Sequence, residues 1–335
     1  MKFAALGDVV RTAYLLPALA DKYPDARIFW LTSNRALEIL RFNPNIYSLV
    51  TPTEGFDELK SLGFDFTVSL DDEHEVLEKV AELKTDRIIG ARLEGGKRVY
   101  CEASAPWFDM GLISRFGKQR ADELKKLNDR EHHTFLEEML GVRISWPSFF
   151  NSSLLEAKAK SLFERGLFHI GLNSGSGARW LSKQLPIEES IKLAHHLLAM
   201  RVDGKPVKIW LLGGTDEAQR HAEILSAFTD ARVVDSDYNQ SFGEFAARIK
   251  ALNYLITSDS LALHLAISQD VPNLSFYAPT SAAEIGTFGT GIKVISTSPD
   301  YCSYKRDVET SSITTERILT GLKDHLMSLE RSLTS

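Results

Sequence analysis

The chain has 335 residues, of which 44% are hydrophobic and 25% are charged, and its formal net charge is −6. At about 150 residues per domain, this length predicts two domains. The composition is typical of a globular protein and excludes a disordered, collagen-like or coiled-coil chain. Each half of the chain, 1–160 and 161–335, carries a net charge of −3. An evenly acidic protein lacks the basic face that nucleic acid binding requires, so we expect no nucleic acid partner.

The apolar runs of the sequence are short, which bears on the location of the protein. Runs such as 13–20 stay far below the roughly 18 apolar residues that a membrane helix requires, so we expect no transmembrane segment. The opening residues, MKFAALGDVV, lack the layout of a signal peptide. Cys101 and Cys302 are the only cysteines, too few for a disulfide framework and without a CxxC pair for a metal. These features predict a cytoplasmic protein.

Short β-rich runs alternate with segments of helical period in the first part of the chain, a pattern typical of βα units around a parallel sheet. The predicted strands are 2–6, 27–31, 47–51, 65–70 and 87–91. The predicted helices are 12–22, 35–41 and 75–83. Helical patterns fill 101–142, and 147–153 has the composition of a linker. The sequence therefore predicts a first α/β domain over 1–152.

The same alternation returns after the linker and predicts a second α/β domain over 153–313. Its predicted strands are 168–173, 208–213, 231–234, 254–257, 274–277 and 293–295. A last helix, 314–329, has apolar residues at helical spacing and is predicted to dock on a sheet. Open α/β sheets bind ligands at the carboxyl ends of their strands, so we expect the functional residues in the loops that follow strands. Neither the dinucleotide fingerprint nor the P-loop pattern follows any predicted strand, which argues against dehydrogenases and P-loop enzymes.

Two of these loops carry an acid at or shortly after a glycine. Asp8 lies in LGDVV after the first predicted strand, and Glu217 lies in LLGGTDE after a strand of the second domain. Asp8 can be a helix N-cap, because aspartate is a preferred cap. Glu217 can complement a helix dipole from the first turn, or accept hydrogen bonds from ribose hydroxyls. Taken alone, Asp8 is better interpreted as a helix cap and Glu217 as a partner of the helix dipole.

Two further loops carry hydroxyls and charges. In 173–183, NSGSGARWLSK, backbone N–H groups with Arg179 or Lys183 can bind an oxyanion. A flexible turn would explain the glycines of this loop but neither its cations nor Trp180. In 256–264, ITSDSLALH, a strand runs into a helix whose N-terminus can bind an anion. The alternatives there are an N-cap aspartate and a buried core histidine.

Together the four loops resemble glycosyltransferase family 9, the bacterial heptosyltransferases of lipopolysaccharide core assembly. The resemblance covers about 1–329, and LGDVV and the segment from ITSDS to YAPT are its most specific motifs. It implies an α/β GT-B fold, in which two doubly wound Rossmann-like domains face an inter-domain cleft. The first domain would bind mainly the acceptor and the second the nucleotide-sugar. The resemblance also implies that the last helix, 314–329, returns to the first domain.

The resemblance implies a role for each residue that matches a family motif. Asp8 stands at the place of the catalytic base. The donor-binding positions are Ser176, Gly177 and Lys183 at the phosphates, Glu217 at the ribose, and Asp259, Ser260 and His264 at the sugar and pyrophosphate. Arg179 is an additional candidate for contact with the anion. No cofactor and no metal are implied, because cations and a helix N-terminus can stabilise the leaving diphosphate.

The implied activity is the inverting, metal-independent transfer of a sugar from a nucleotide-diphospho-sugar to a bacterial surface glycan such as lipopolysaccharide core. The donor favoured by the resemblance is ADP-heptose. A lipid-linked acceptor would place the protein peripherally on the cytoplasmic face of the inner membrane. One alternative keeps the fold with another nucleotide-sugar or a protein acceptor. The other is a catalytically weak sugar-nucleotide-binding protein, because Leu261 stands where the family places glycine. The acidic run 71–74 is the only dense cluster of metal-ligand types, and we expect it to be a solvated loop.

Overall fold

The computed structural model describes residues 1–3, 5–177 and 180–334. The chain forms two compact units, Met1–Phe150 with Ala283–Gly286 and Asn151–Ala282 with Thr287–Ser335. The first unit thus ends after residue 150, where the sequence predicts a boundary after residue 152. None of the helices in the described ranges is long and apolar enough to cross a membrane.

The first unit is an α/β unit with short strands. Its helices are α1 (Leu6–Ala13), α2 (Leu15–Lys22), α3 (Leu37–Leu40), α4 (Phe56–Ser61), α5 (His74–Ala81), α6 (Ala105–Phe108), α7 (Gly117–Leu127) and α8 (His132–Leu140). Its strands are β1 (Phe29–Leu31), β2 (Ser48–Val50), β3 (Gly63–Phe64), β4 (Thr67–Ser69), β5 (Lys84–Thr85), β6 (Ile88–Glu94) and β7 (Lys97–Tyr100). Strands β1 and β2 pair in parallel, as do β3 and β5, and β4 and β6.

The start of the chain lies between β1 and β4. The backbone N–H of Lys2 donates to Leu31 O at 3.3 Å, and the N–H of Leu70 donates to Met1 O at the same distance. Residues 1–3 therefore occupy the position predicted for the first strand, 2–6. That strand was predicted too long, because the chain turns at Ala5, where φ is 48°, and α1 begins at the next residue.

The predicted helix 12–22 is divided into α1 and α2 around Tyr14. Pro17 lies in the first turn of α2, where its missing N–H leaves no intrahelical bond unmade. Strand β7, which the sequence analysis missed, returns antiparallel to β6 after Gly95 and Gly96, both at positive φ. Such a glycine pair between two strands is a hairpin signal.

The second unit is a larger α/β unit. Its helices are α9 (Ser153–Ser161), α10 (Ile187–Ala199), α11 (Ala218–Ser226), α12 (Phe242–Ala251), α13 (Leu261–Ser268) and α14 (Thr315–Thr334). Its strands are β8 (Phe168–Asn173), β9 (Arg201–Val202), β10 (Lys205–Leu211), β11 (Val233–Asp235), β12 (Tyr254–Ser258), β13 (Asn273–Tyr277) and β14 (Gly291–Ile295). All six predicted strands of this domain are present, with ends shifted by a few residues.

The sheet of the second unit has the order β11-β10-β8-β12-β13-β14, and all neighbours in that path are parallel. Numbered along the chain, this is the doubly wound order 3-2-1-4-5-6 of a Rossmann fold. Every residue of β8, β12 and β13 is buried, as expected for a parallel sheet that is covered on both faces. The core joins sheet residues such as Ile170 and Leu172 to Leu193 and Leu197 of α10.

Helix α14 contributes Ile318, Leu319 and Leu322 to the core of the second unit. It packs against β14, β13 and α10. Docking on a sheet agrees with the sequence prediction for 314–329, since α14 packs on the β13–β14 side of the second sheet. The expected return of this helix to the first domain stays a prediction. The backbone N–H of Thr315 adds a bond to Glu189 Oε2 at 2.6 Å.

Candidate active site

The carboxyl ends of β8 and β12 are neighbours at the centre of the second sheet. The chain leaves β8 toward β10 on one side and later resumes at β12 on the other, which makes this the topological switch point where open α/β sheets bind ligands. Asn173, the last residue of β8, donates through Nδ2 to Thr257 Oγ1 at 2.9 Å and to Ser260 Oγ at 3.0 Å. Two of the four predicted loops therefore meet at the switch point, held by one buried amide.

Lys183 and Asp259 form an ion pair beside this amide. Lys183 Nζ donates to Asp259 Oδ2 at 2.8 Å and to Asp259 O at 2.9 Å, and the Thr280 hydroxyl donates to the same carboxylate at 2.8 Å. The lysine and aspartate side chains are only 16% and 14% exposed. Burial opposes ionisation of the carboxyl, but the lysine, the nearby imidazole of His264 and the threonine hydroxyl hold the pKa of Asp259 below its usual range.

Ser260 and His264 complete the start of α13. Ser260 is the N-cap residue, so the alternative in which Asp259 caps the helix is wrong. Its hydroxyl is bonded to Thr257 Oγ1 at 3.0 Å. His264 is buried, and its Nε2 lies 3.9 Å from Asp259 Oδ1. The structure thus brings Lys183, Asp259, Ser260 and His264 together at one helix N-terminus.

Glu217 is buried and bonded to two glycine loops. Its Oε1 accepts from the backbone N–H of Gly177 at 2.7 Å, and its Oε2 accepts from that of Gly214 at 2.8 Å. A Cβ on Gly175 would lie 2.4 Å from Glu217 Cγ, and one on Gly213 would lie 2.7 Å from Glu217 Cβ. The glycines therefore allow the backbone to close around the carboxylate, which joins the loops after β8 and β10. The ribose contact predicted for Glu217 stays a prediction.

Ser176 and Gly177 lie on the loop that follows β8. The Ser176 hydroxyl donates to Trp180 O at 2.7 Å and closes the loop on itself. Gly177 has φ +69°, a left-handed conformation that favours glycine. Arg179, the additional candidate for contact with the anion, lies outside the described residues.

Asp8, the candidate base, lies in the first unit. It occupies the first turn of α1, and its Oδ1 pairs with Arg11 Nη2 at 2.8 Å. The N-cap position of α1 is taken by Ala5, so the alternative in which Asp8 is the cap is wrong. The Asp8 side chain is 32% exposed, which leaves the carboxylate accessible to solvent.

Asp71 corrects the expectation of a solvated loop at 71–74. It is only 2% exposed, and its carboxylate accepts from Lys2 Nζ and from the backbone N–H of Phe3, both at 2.6 Å. Although burial opposes protonation of the lysine, Asp71 raises the pKa of Lys2. The sequence did not reveal the burial of Asp71, because its two partners, Lys2 and Phe3, lie about 70 residues earlier in the chain.

Within the described part of the chain, no group of three His, Cys, Asp or Glu side chains is arranged to hold a metal ion. Metal-independent activity stays a prediction.

Three residues of the second unit matter to the site but were not singled out from the sequence. Asn173 and Thr280 end or follow buried strands, and the rule that ligand sites lie after strands would have found both. Arg220 donates to Ser174 Oγ at 3.0 Å and also to Leu185 O, and so ties the loop after β8 to the start of α10. Burial lowers the pKa of Arg220. No sequence motif indicated a role for this residue.

Comparison with known proteins confirms the resemblance. Residues 164–314 match the family model of glycosyltransferase family 9 (heptosyltransferase). A search of curated protein sequences found no significant match. Among solved structures, the chain is similar to a family 9 glycosyltransferase from Veillonella parvula, with 18% identity, a TM-score of 0.75, and 97% and 96% of the two chains covered.

Two Escherichia coli structures are also similar. One is ADP-heptose lps heptosyltransferase II, with 16% identity, a TM-score of 0.71, and 98% of this chain and 100% of that chain covered. The other is heptosyltransferase WaaC with ADP, with 14% identity, a TM-score of 0.61, and 97% of each chain covered.

The family match of residues 164–314, together with the fold, identifies the protein as an α/β glycosyltransferase with a GT-B fold. Its second unit carries the sequence pattern of glycosyltransferase family 9, and the resemblance predicted from the four loops is confirmed there.

Proposed function

We propose that the protein is an inverting, metal-independent glycosyltransferase. Its donor is a nucleotide-diphospho-sugar, with ADP-heptose as the leading candidate, and its acceptor is a bacterial surface glycan such as lipopolysaccharide core. The observation that carries the proposal is the buried Lys183–Asp259 pair at the N-terminus of α13, within the segment that matches family 9. A cytoplasmic enzyme that meets a lipid-linked acceptor at the inner face of the membrane follows from the same resemblance.

In this proposal the second unit binds the donor. The diphosphate lies at the N-terminus of α13, where backbone N–H groups and the Ser260 hydroxyl can donate to its oxygens. Lys183 supplies the positive charge, and Ser176 and Gly177 lie on the loop that follows β8. As the bond to the sugar breaks, negative charge grows on the diphosphate, and these fixed donors stabilise it in place of a divalent cation.

Asp8 is the proposed general base. An acceptor hydroxyl attacks the anomeric carbon and gives its proton to the Asp8 carboxylate, while the electron pair of the breaking C–O bond leaves on the nucleoside diphosphate. Because one displacement forms the new bond on the opposite face, the anomeric configuration inverts. An aspartate that is one-third exposed and fixed by an ion pair suits this step, since its carboxylate is reachable by a hydroxyl.

A donor panel tests the proposal. The purified protein is incubated with ADP-heptose and with UDP- and GDP-sugars, each with a truncated lipopolysaccharide core acceptor, and release of nucleoside diphosphate and the anomeric configuration of the product are followed by NMR. Inverting transfer from ADP-heptose supports the proposal. Transfer from another donor alone would change the substrate but keep the reaction, whereas tight donor binding without turnover would make the protein a sugar-nucleotide-binding protein.

A further inference from the structure

Arg11 lies one helical turn after Asp8 and pairs with it. Its Nη2 is 2.8 Å from Asp8 Oδ1, and its side chain is 14% exposed against 32% for the aspartate. The cation is therefore the more sheltered member of the pair. A sheltered partner loses less of its interaction to solvent screening than a pair on an open surface.

Trp107 fixes the position of the guanidinium. Arg11 Cζ lies 5.8 Å from the centre of the Trp107 ring, within the range of a cation–π contact. Trp107 in turn packs edge-on against His132, with ring centres 4.6 Å apart, and beside Phe135 at 5.7 Å. A planar guanidinium stacks on an aromatic face and binds a carboxylate in a defined direction, which an ammonium does not.

Other charged groups surround this pair. Lys2 is close enough to Asp8 for the aspartate to contribute to raising its pKa, and Lys2 itself binds Asp71. The amino group of Met1 also faces Asp71 and Lys2, and burial lowers its pKa to about 6. Helix α3, which packs against α1, carries Glu38.

Arg35 precedes α3 in a short turn, and both Arg35 and Glu38 are exposed. Their charges are more screened than that of the sheltered Arg11. Arg11 forms a direct ion pair with Asp8.

We propose that Arg11 is a positioning residue, which sets the direction of the Asp8 carboxylate and keeps it ionised in the free enzyme. This inference rests on the proposed function, in which Asp8 is the general base. A base that is displaced by about 1 Å can lose a hundredfold in rate. A cation within about 4 Å lowers the pH at which a carboxyl ionises by 1 to 3 units, toward the lower end for a partly exposed pair.

Two substitutions separate geometry from charge. Arg11→Met keeps a flexible apolar stem against Trp107 and removes the charge, whereas Arg11→Lys keeps the charge and loses the planar fork. We expect kcat to fall about tenfold or more in Arg11→Met with unchanged donor KM, and the acid limb of the pH–rate profile to move to higher pH by about one unit. In Arg11→Lys the acid limb stays in place and part of kcat returns. Thermal unfolding controls for the fold of both variants.

The effect of Arg11 must also depend on Asp8. In the Asp8→Asn background, Arg11→Met should change kcat no further, since a residue that acts through another has no effect once that other is removed. An additional tenfold loss in the double variant would overturn the proposal and indicate direct contact with substrate. A wild-type kcat and pH profile in Arg11→Met would overturn it as well.

NMR keeps this test independent of the proposed function. With ¹³C-labelled aspartate, the Asp8 carboxyl is assigned by its absence in Asp8→Asn, and its titration midpoint should rise by about one unit in Arg11→Met. An unchanged midpoint overturns the inference whatever the enzyme does. A shifted midpoint together with a fully active Asp8→Asn variant would instead leave the pairing intact and refute the assignment of Asp8 as base.

Discussion

Replacing Glu217 by glutamine tests whether its carboxylate holds the donor loops together. The substitution keeps the shape of the side chain but leaves one oxygen and one amide group. Both carboxylate oxygens accept from backbone N–H groups, those of Gly177 and Gly214. The amide NH₂ of glutamine would face one of these two donors. One hydrogen bond is therefore lost, and the backbone N–H of that glycine is left without an acceptor.

The expected cost follows from burial and charge. Glu217 is only 6% exposed, so solvent replaces little of what is lost. A hydrogen bond to a charged group contributes about 1.5 to 3 kcal/mol. For a unit of this size, each kcal/mol lowers Tm by about 2 to 4 °C, which predicts a fall of about 3 to 12 °C for Glu217→Gln.

Differential scanning calorimetry measures this fall, with Asp216→Asn as the matched control, since Asp216 is exposed on the same turn. Donor affinity should fall with Tm in Glu217→Gln, because the Gly177 loop loses its anchor. A Tm within 1 °C of the wild type would refute the reasoning. If nucleoside affinity fell while Tm stayed constant, the carboxylate would act by contact with the ribose, as the family resemblance implies.

Four further outcomes are expected. Asp8→Asn lowers transfer by about 10²-fold or more with little change in Tm, and near-normal turnover would exclude it as base. Lys183→Ala weakens nucleoside diphosphate binding by about 10- to 100-fold in calorimetry and leaves nucleoside binding unchanged. The control Lys192→Ala, on an exposed part of α10, changes neither affinity. Equal losses for nucleoside and nucleoside diphosphate would contradict the phosphate contact. Turnover persists in excess EDTA, and a loss that Mg²⁺ restores would contradict metal independence. Because the pKa of Asp259 lies below its usual value, its pairing with Lys183 stabilises the fold at pH 7, and this contribution is lost as pH falls below about 4. In urea titrations, the loss of unfolding free energy caused by Lys183→Ala should therefore become smaller toward pH 2. A loss that does not change with pH would argue against the pair.

The sheet of the second unit was predictable because its strands carry their signal locally. Strands β8, β12 and β13 are short, mainly apolar runs of five or six residues between polar loops, and their length and flanking residues distinguish such buried strands from helices. The first unit was harder, because its strands have two to four residues apart from β6, and residues 1–3 bond to their neighbours without forming a regular strand. The hairpin of β6 and β7 was missed although its glycine pair was visible.

The candidate site was predictable as far as loops after strands could be placed. The sequence put Lys183, Asp259, Ser260 and His264 in two loops, and the doubly wound order brings these loops together. What the sequence could not give were the hydrogen bonds that depend on tertiary contact, such as those from the Asn173 amide to Thr257 and Ser260. The apolar stripe of 314–329 likewise indicates that the helix is covered, but not by which sheet.

The attachment of α14 to β14 and α10 has a consequence for the synthesis of the protein on the ribosome. Helix α10 emerges more than 100 residues before α14, yet Thr315 binds Glu189, and Lys192 of α10 pairs with Glu316. Until α14 leaves the exit tunnel, Ile318 and Leu322 cannot cover the surface against which they pack. The nascent second unit therefore presents an apolar face to chaperones until α14 is made, and a chain released before α14 would present that face to other copies of itself.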